Sequence, residues 1–365
     1  MIMKPRLSCF EVVLPFKVPF TTSFGTQSER HALLFKFEAD GVVAYSECVT
    51  DVGPHYSYED NYTAMHIIRT YLAKFIEDLP DPKVFLERSE AVKGHNMAKA
   101  ALEMLLWDYH SKLSGKPIHE YMGGSKGYAD VGISIGMDKV EKVVARVGEA
   151  IQRGYRRVKV KIERGREHEI LGAIREAYPE IPLTADANCD YRIKDIEILK
   201  SLDRYNLVYL EQPLDHDDLV DHAKLRKQIS TPICLDESIT SPDKARKAFE
   251  IGAADVVNIK PGRVGGFTNS LEIARIARDQ GGHVWVGGML ETGIGRAFNI
   301  ALASHSRVDY PGDTSPNDKY FEQDIVKNPF KMVDGRIKPN EGPGIGVDVD
   351  LDYLMKVSIK MTRIV

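Results

Sequence analysis

The sequence has few cysteines, and they are widely scattered. The four cysteines, at positions 9, 48, 189 and 234, are too far apart to form a CxxC metal site or a small disulfide framework. A chain of this kind is typical of a reducing compartment. We therefore expect a cytoplasmic protein without structural disulfides.

Segments that would direct the chain to a membrane or to export are also lacking. Charged residues interrupt the first 20 positions at Lys4, Arg6, Glu11 and Lys17, so the continuous apolar core of a signal peptide is missing. The sequence also contains no run of about 18 uncharged apolar residues, the length that is needed to span a bilayer. With 49 basic and 53 acidic side chains, the chain has a net charge of -4 and no basic surplus. We expect neither a membrane nor a nucleic acid as partner.

What the sequence does contain is enough apolar material for a large core. Hydrophobic residues make up 43% of the 365 positions and charged residues 28%, as in an average folded protein. Residues 1–125 mix alternating strand patterns with helical ones, which predicts an α+β domain that ends near Gly123 and Gly124. A length of this size indicates two domains, or one large barrel with additions.

Residues 126–324 are more regular. Short β-rich runs alternate with amphipathic helical stretches at a spacing of about 25 residues, which predicts βαβ units and a parallel sheet. Seven or more such units favour a closed barrel over an open sheet. The runs are VGISIGM, RVKVKIE, PLTADAN, LVYLEQP, PICLDES, VVNIKPG and HVWVGGM. The remaining residues, 325–365, carry glycine- and proline-rich turns and are predicted to pack back on the N-terminal domain.

Five polar residues end successive runs of the predicted barrel. Successive members are 25, 25, 25 and 24 residues apart. Because one βα repeat advances one strand around a barrel, they should lie at equivalent positions on the carboxyl-terminal mouth, where barrel active sites are found. The five are Lys161, Asp186, Glu211, Asp236 and Lys260.

Three of the five are carboxylates on consecutive strands. Without a cation they would repel one another and raise each other's pKa. Oxygen ligands suit a hard ion, and magnesium keeps open positions for water or substrate. We predict that Asp186, Glu211 and Asp236 bind Mg²⁺, with Mn²⁺ tolerated in its place. Any one of them alone could equally be a solvated loop residue or a helix N-cap, and only their shared register favours the metal site.

The two lysines flank this carboxylate row. Lys161 comes one strand before it and Lys260 one strand after it, so a substrate at the centre could meet a base on either face. Lys159 lies two residues before Lys161 on the same strand face, where a second ammonium disfavours the charged form of the base. The alternatives are an ordinary strand-end lysine for Lys159 and a salt-bridging lysine for Lys260.

This arrangement predicts removal of a proton next to a substrate carboxylate. Such a proton is very weakly acidic, and a divalent ion bound to both carboxylate oxygens would stabilise the enediolate that forms. Reprotonation from the opposite face would give racemisation. Expulsion of a β-leaving group would give elimination, so one site could serve either reaction.

Several motifs strengthen this interpretation. VKVKI, TADAN, LEQP, CLDES and NIKPGRVGG resemble the motifs of the enolase superfamily, specifically its muconate-lactonising subgroup. GGMLETGIGRA and PGDTSPNDKYFEQDI resemble the o-succinylbenzoate synthase and N-succinylamino acid racemase family. The resemblance spans the whole chain. It implies an α/β fold in which an N-terminal α+β capping domain closes a modified TIM barrel, (β/α)7β, with Mg²⁺ on the three carboxylates and Lys161 and Lys260 as bases.

The resemblance also implies a substrate pocket. Residues 20–27 resemble a capping loop that sets specificity. The residues expected to contact the substrate are Ser134, Asn188, Gly288, Met289 and, from the capping loop, Phe24. For Ser134 and Asn188, a barrel-layer filler and a turn residue are equally good interpretations.

On this resemblance we expect a small-molecule carboxylate substrate and, by analogy with such barrels, a homo-oligomer. The leading function is dehydration to o-succinylbenzoate in menaquinone biosynthesis, closely followed by racemisation of N-succinyl or other N-acyl amino acids. Muconate cycloisomerase is an alternative. A dipeptide epimerase fits less well, because residues 287–289 (Gly-Gly-Met) replace its aspartate pair. A Schiff-base aldolase or a non-catalytic barrel would leave the carboxylates unexplained.

Overall fold

The computed structural model describes residues 5–22 and 25–365, so Phe24 lies outside the described residues. The strands are β1 (Arg6–Thr22), β2 (Gly25–Ala39), β3 (Val42–Cys48), β4 (Ala129–Asp130), β5 (Gly132–Ile135), β6 (Arg157–Lys161), β7 (Leu183–Asp186), β8 (Leu210–Glu211), β9 (Ile233–Leu235), β10 (Val256–Ile259), β11 (His283–Val286), β12 (Met332–Val333), β13 (Arg336–Ile337) and β14 (Ser358–Arg363). The α-helices are α1 (Asn61–Ile67), α2 (Pro82–Ser89), α3 (Asn96–Leu113), α4 (Ile118–Tyr121), α5 (Val140–Gln152), α6 (Glu167–Ala177), α7 (Ile196–Ser201), α8 (Leu219–Arg226), α9 (Pro242–Glu250), α10 (Phe267–Asp279), α11 (Gly293–Ala303) and α12 (Leu351–Val357).

The N-terminal part is an antiparallel sheet covered by helices. The sheet has four strands in the order β14-β1-β2-β3. Apolar residues of the strands, among them Phe35 and Phe37, form one buried cluster with Leu102 and Leu105 of α3. This packing agrees with the mixture of alternating strand patterns and helical patterns that the sequence shows in residues 1–125. These elements form the predicted capping domain.

The central part is a parallel sheet of seven strands, β5 to β11, that neighbour one another in chain order. Helices α5 to α11 follow these strands one by one along the chain. Alternate strand residues face opposite sides. Val158 and Val160 belong to the core cluster that the helices share, whereas Lys159 between them contacts side chains of the barrel interior. The predicted βα alternation is confirmed.

An irregular eighth segment closes the barrel. Residues 309–313 lie between the two edge strands of the sheet. Asp313 N donates to Val286 O of β11 at 2.9 Å, and Gly132 N of β5 donates to Gly312 O at 2.8 Å. The sheet is thereby completed as (β/α)7β, in agreement with the predicted fold.

The last part of the chain contacts both of the others. Strand β13 pairs with β4, which directly precedes the first barrel strand β5. Strand β14 pairs with β1 in the antiparallel sheet, with Ser8 opposite Arg363. In the part of the chain that the structure describes, no helix could cross a membrane.

Candidate active site

The five predicted residues meet at one mouth of the barrel. Lys161, Asp186 and Glu211 are the last residues of β6, β7 and β8, and Asp236 and Lys260 directly follow β9 and β10. Parallel pairing places Lys161 opposite Asp186 and Asp186 opposite Glu211. The three carboxylates are almost completely buried, with 0 to 1% of each residue exposed. Burial of this degree requires that their charge be compensated.

Two lysines of β6 compensate Asp186. Lys161 Nζ lies 2.6 Å and Lys159 Nζ 3.2 Å from Asp186 Oδ2. Burial alone would raise the pKa of Asp186, but the ammonium groups of Lys161 and Lys159 hold it below its usual range. Lys161 Nζ also donates to Asn188 Oδ1 at 2.5 Å. Asn188 follows β7 in the left-handed region (φ 41°), which an asparagine tolerates.

Glu211 is the least compensated of the three carboxylates. It receives hydrogen bonds from Lys159 Nζ at 2.9 Å and Asn258 Nδ2 at 3.0 Å. Burial, followed by repulsion from Asp186, raises the pKa of Glu211 to about 8. An additional cation beside Glu211 would stabilise the ionised form of its carboxyl group.

On the opposite side of the row, Asp236 lies between Lys260 and Arg263. Lys260 Nζ is 2.8 Å from Asp236 Oδ2, and Arg263 forms an ion pair with Oδ1. Although burial lowers the pKa of Lys260, Asp236 holds it above its usual range. Tyr56, from the capping domain, accepts hydrogen bonds at 3.0 Å from both Lys260 Nζ and Arg263 Nη1. The capping domain therefore contributes directly to the surroundings of Lys260.

Lys159 occupies a central position below the mouth. Its Nζ lies 2.9 Å from Glu211 Oε2 and 3.1 Å from Asp313 Oδ2, in addition to its contact with Asp186. Burial lowers its pKa, but Asp313, Glu211 and Asp186 together raise it well above the usual range. The ammonium also lies 4.7 Å from the ring centroid of Trp285, which forms part of the barrel floor. Lys159 is thus a fixed positive charge that links the carboxylates.

A cavity of about 360 Å³ lies between this mouth and the capping domain. All four described residues that we predicted to contact substrate line it. They are Ser134, Asn188, Gly288 and Met289. The capping side contributes Phe20, Arg30, Tyr56 and Met97, and the barrel contributes Lys159, Lys161, Asp186 and Lys260. The structure therefore brings together the predicted lysines and the predicted pocket residues.

Several polar residues of the site were missed in the sequence. Asp313 lies on the irregular closing segment, Tyr56 on a loop, and Arg263 three residues after Lys260, so none falls on the 25-residue period. Gln212 was missed although it follows Glu211. Its Oε1 accepts from Asp236 N at 3.0 Å and thereby fixes the backbone that carries this carboxylate. A signal existed for three of the four, because Gln212, Arg263 and Asp313 lie inside the motifs LEQP, NIKPGRVGG and PGDTSPNDKYFEQDI, whereas Tyr56 lies in none of the quoted motifs.

The carboxylate row fits a divalent cation by its chemistry. Three buried carboxylates repel one another, and ammonium or guanidinium groups now compensate them. Within the described residues, one carboxylate oxygen from each of Asp186, Glu211 and Asp236 cannot be chosen so that all three oxygens lie within 4.8 Å of one another. Their oxygens are instead directed toward the lysines and Arg263. An all-oxygen donor set of this charge suits a hard divalent ion.

Comparison with known proteins identifies the family. The model of the mandelate racemase / muconate lactonizing enzyme N-terminal domain matches residues 6–123, and the enolase C-terminal domain-like model matches residues 142–353. The chain belongs to the enolase superfamily. Enzymes of this group use a divalent metal ion.

Two curated relatives of this enolase-superfamily chain carry different names. An N-succinylamino acid racemase of Thermus thermophilus is 42% identical over 95% of this chain and 95% of the relative. An o-succinylbenzoate synthase of Geobacillus kaustophilus is also 42% identical, over 92% of this chain and 91% of the relative. A solved enolase-superfamily structure from Listeria innocua superposes with a TM-score of 0.95 at 35% identity and covers 100% of this chain and 99% of its own.

Proposed function

We propose that this protein is a magnesium-dependent enzyme that removes and returns the proton next to a substrate carboxylate. Its reactions are dehydration to o-succinylbenzoate, as in menaquinone biosynthesis, and racemisation of N-succinylamino acids. The observation that carries the proposal is the placement of Lys161 and Lys260 on opposite sides of a row of three carboxylates, with both lysines lining one cavity. Mn²⁺ is expected to replace Mg²⁺.

Asp186, Glu211 and Asp236 would hold the ion. When bound, a divalent cation withdraws charge from the substrate carboxylate and makes the neighbouring C–H bond more acidic. The carboxylate oxygens that now accept from lysines would serve the ion instead. Lys161 and Lys260 would then be available to substrate, each on its own face of the reacting carbon.

Lys159 has a supporting role in this proposal. Its ammonium contacts Glu211 and Asp186, two of the proposed ligands, and Asp313 fixes it from the barrel wall. It therefore holds the ligands in place and adds positive charge near the substrate carboxylate. Ser134, Asn188, Gly288 and Met289 would contact the remainder of the substrate.

The two reactions share their first step, and the same residues serve both. Removal of the proton by one lysine produces a carbanion equivalent on the substrate. Return of a proton by the opposite lysine inverts the centre. In elimination the carbanion's electron pair instead forms the C=C bond while the C–O bond breaks, and a lysine ammonium protonates the departing β-hydroxyl group so that it leaves as water. The equal identity to a racemase and to a synthase supports a single site for both reactions.

The test is proton NMR of N-succinyl-L-phenylalanine in deuterium oxide with enzyme and Mg²⁺, with and without EDTA. We expect metal-dependent loss of the α-proton signal together with formation of the D-isomer. A parallel assay follows dehydration of the cyclohexadiene precursor to o-succinylbenzoate. Absence of both activities would overturn the proposal, and activity that survives EDTA with borohydride trapping would favour a Schiff-base aldolase.

A cytoplasmic location and a homo-oligomeric state belong to the same proposal. The four cysteines form no disulfide, as is usual for proteins of a reducing compartment. Light scattering of the purified protein would establish the number of chains in the particle.

A further inference from the structure

A second cluster of metal-ligating side chains lies away from the barrel mouth. His119 and Glu120 belong to the short helix α4, and Glu341 lies on the loop that follows β13. One ligand atom from each of the three residues lies within 4.8 Å of the other two. In the described part of the chain, these three residues form the one histidine-containing cluster at this spacing.

His119 itself points to a ligand. The residue is only 4% exposed, yet neither Nδ1 nor Nε2 has a hydrogen-bond partner in the structure. A buried polar group without a partner is unfavourable, because it has given up its hydrogen bonds to water and gained none in return. In contrast, Glu120 and Glu341 are exposed, so their carboxylates are able to rotate toward the imidazole. The imidazole is held in place while the carboxylates are adjustable.

The spacing fits coordination better than hydrogen bonding. His119 Nε2 lies 3.9 Å from Glu341 Oε2, beyond the range of a hydrogen bond. Two ligands bound to one zinc ion at about 2.0–2.2 Å each would lie roughly 3–4 Å apart. One imidazole nitrogen and two carboxylate oxygens are ligands that zinc accepts, whereas magnesium prefers oxygen ligands alone.

We propose that His119, Glu120 and Glu341 bind a divalent transition-metal ion of the zinc class. This ion would fasten the loop after β13 onto α4. The same seam already has two backbone hydrogen bonds, from Ile118 N to Gly344 O at 2.7 Å and from Gly344 N to Lys116 O at 2.9 Å. Because these residues are absent from the lining of the active-site cavity, the ion stabilises the fold and takes no part in turnover. The site is independent of the proposed function.

The experiment measures zinc in the full-length protein. Samples are dialysed against Zn²⁺ with a large excess of Mg²⁺, which competes for the all-oxygen site, and zinc is counted by mass spectrometry. We expect the parent to hold about one zinc ion more per chain than His119→Gln or Glu341→Gln. Zinc should also raise the melting temperature of the parent by several degrees and leave that of both variants unchanged, since an ion bound only to the folded state stabilises it by mass action.

His216→Gln is the matched control, because His216 also lies beside carboxylates but is 62% exposed. It should bind as much zinc as the parent does. Glu341 is exposed, so its substitution leaves the core intact even where His119→Gln impairs folding. Equal zinc content in parent and Glu341→Gln, or an equal thermal shift in both, would overturn the proposal. Turnover with Mg²⁺ should be the same in parent and Glu341→Gln.

Discussion

At the scale of single residues, the site depends on two lysines that approach the same substrate from opposite sides. Lys161→Ala and Lys260→Ala should each lower racemisation by about 10²–10⁴-fold, because a positioned base contributes that much. Each variant should still exchange the α-proton of the one enantiomer that faces the remaining lysine. Proton NMR in deuterium oxide with separate D- and L-substrates measures this directly.

The stereochemistry makes that prediction specific. Circular dichroism serves as the control, since both variants should remain folded. If either variant turned over at a near-normal rate, or if both exchanged the same enantiomer, the two-base scheme would be wrong.

Asp313 provides a second prediction at this scale. Its carboxylate lies 2.7 Å from Arg157 Nη2 and 3.1 Å from Lys159 Nζ, and both cations are almost fully buried. Asp313→Asn would leave them undercompensated, and the free energy of unfolding should fall by about 3–5 kcal/mol. Urea denaturation measures the change. Asp279→Asn, which removes an exposed partner of Arg275, should cost less than about 1 kcal/mol.

The five mouth residues could be predicted from the sequence, whereas Asp313 could not be predicted from the same periodicity. The five follow a βα period, and the structure has each of them at a strand end. Asp313 and Tyr56 come from irregular segments, whose side-chain directions depend on tertiary packing and leave no period in the sequence. The roles of the five as metal ligands and bases remain predictions, as does that of Phe24.

At the scale of elements, the seven predicted runs all contain strands, although with different lengths. The run LVYLEQP yields only the two residues of β8, because the chain turns at Gln212, which has a positive φ of 37°. In the N-terminal part, α1 is likewise followed without a break by a π-helical turn over Ile68–Leu72 and a 3-10 turn over Ala73–Ile76 instead of continuing as one α-helix. Apolar periodicity indicates the type of an element but not such local breaks. The domain limits near residues 125 and 325 stay predictions.

The contact between α3 and α10 yields the prediction for this scale. Glu103 of α3 accepts hydrogen bonds from Phe267 N at 2.7 Å and Thr268 N at 2.9 Å, at the N-terminus of α10. Gly266 precedes α10 with a φ of 123°, and an added Cβ would overlap the Glu103 carboxylate. Gly266→Ala should therefore separate the two helices and lower the free energy of unfolding by about 3 kcal/mol or more.

Gly281→Ala is the matched control for this prediction. Gly281 also has a positive φ, of 75°, but an added Cβ would meet no atom within 4 Å. Gly281→Ala should therefore lower the free energy of unfolding by the backbone strain alone, about 1–2 kcal/mol. Equal losses in the two variants, measured by chemical denaturation, would mean that the contact with Glu103 adds nothing.

At the scale of the whole molecule, two buried carboxyl groups join the capping domain to the barrel. Glu103 holds the N-terminus of α10 as described. Glu47 of β3 accepts from Thr292 N at 3.0 Å and Gly295 N at 3.3 Å, at the N-terminus of α11. The partial positive charge of a helix N-terminus favours a carboxylate at each position. Nevertheless, burial raises the pKa of Glu47 and of Glu103 to about 7.

These raised pKa values make the stability of the whole chain depend on pH. The ordinary pKa of a glutamate is 4.5, against about 7 for Glu47 in the folded chain. Between these values the folded chain retains a proton that the unfolded chain has released, so the contribution of this group to stability falls as the pH rises. The loss amounts to about 3 kcal/mol when ionisation is complete.

Glu47→Gln cannot ionise and should escape this loss. Relative to the parent, its free energy of unfolding should increase by about 2.5 kcal/mol between pH 5 and pH 8, as followed by urea denaturation at the two pH values. Glu197→Gln, at a site 82% exposed, should follow the parent throughout. Should the difference between Glu47→Gln and the parent stay constant with pH, Glu47 would be ionised across the whole range, and the helix N-terminus would outweigh burial at this seam.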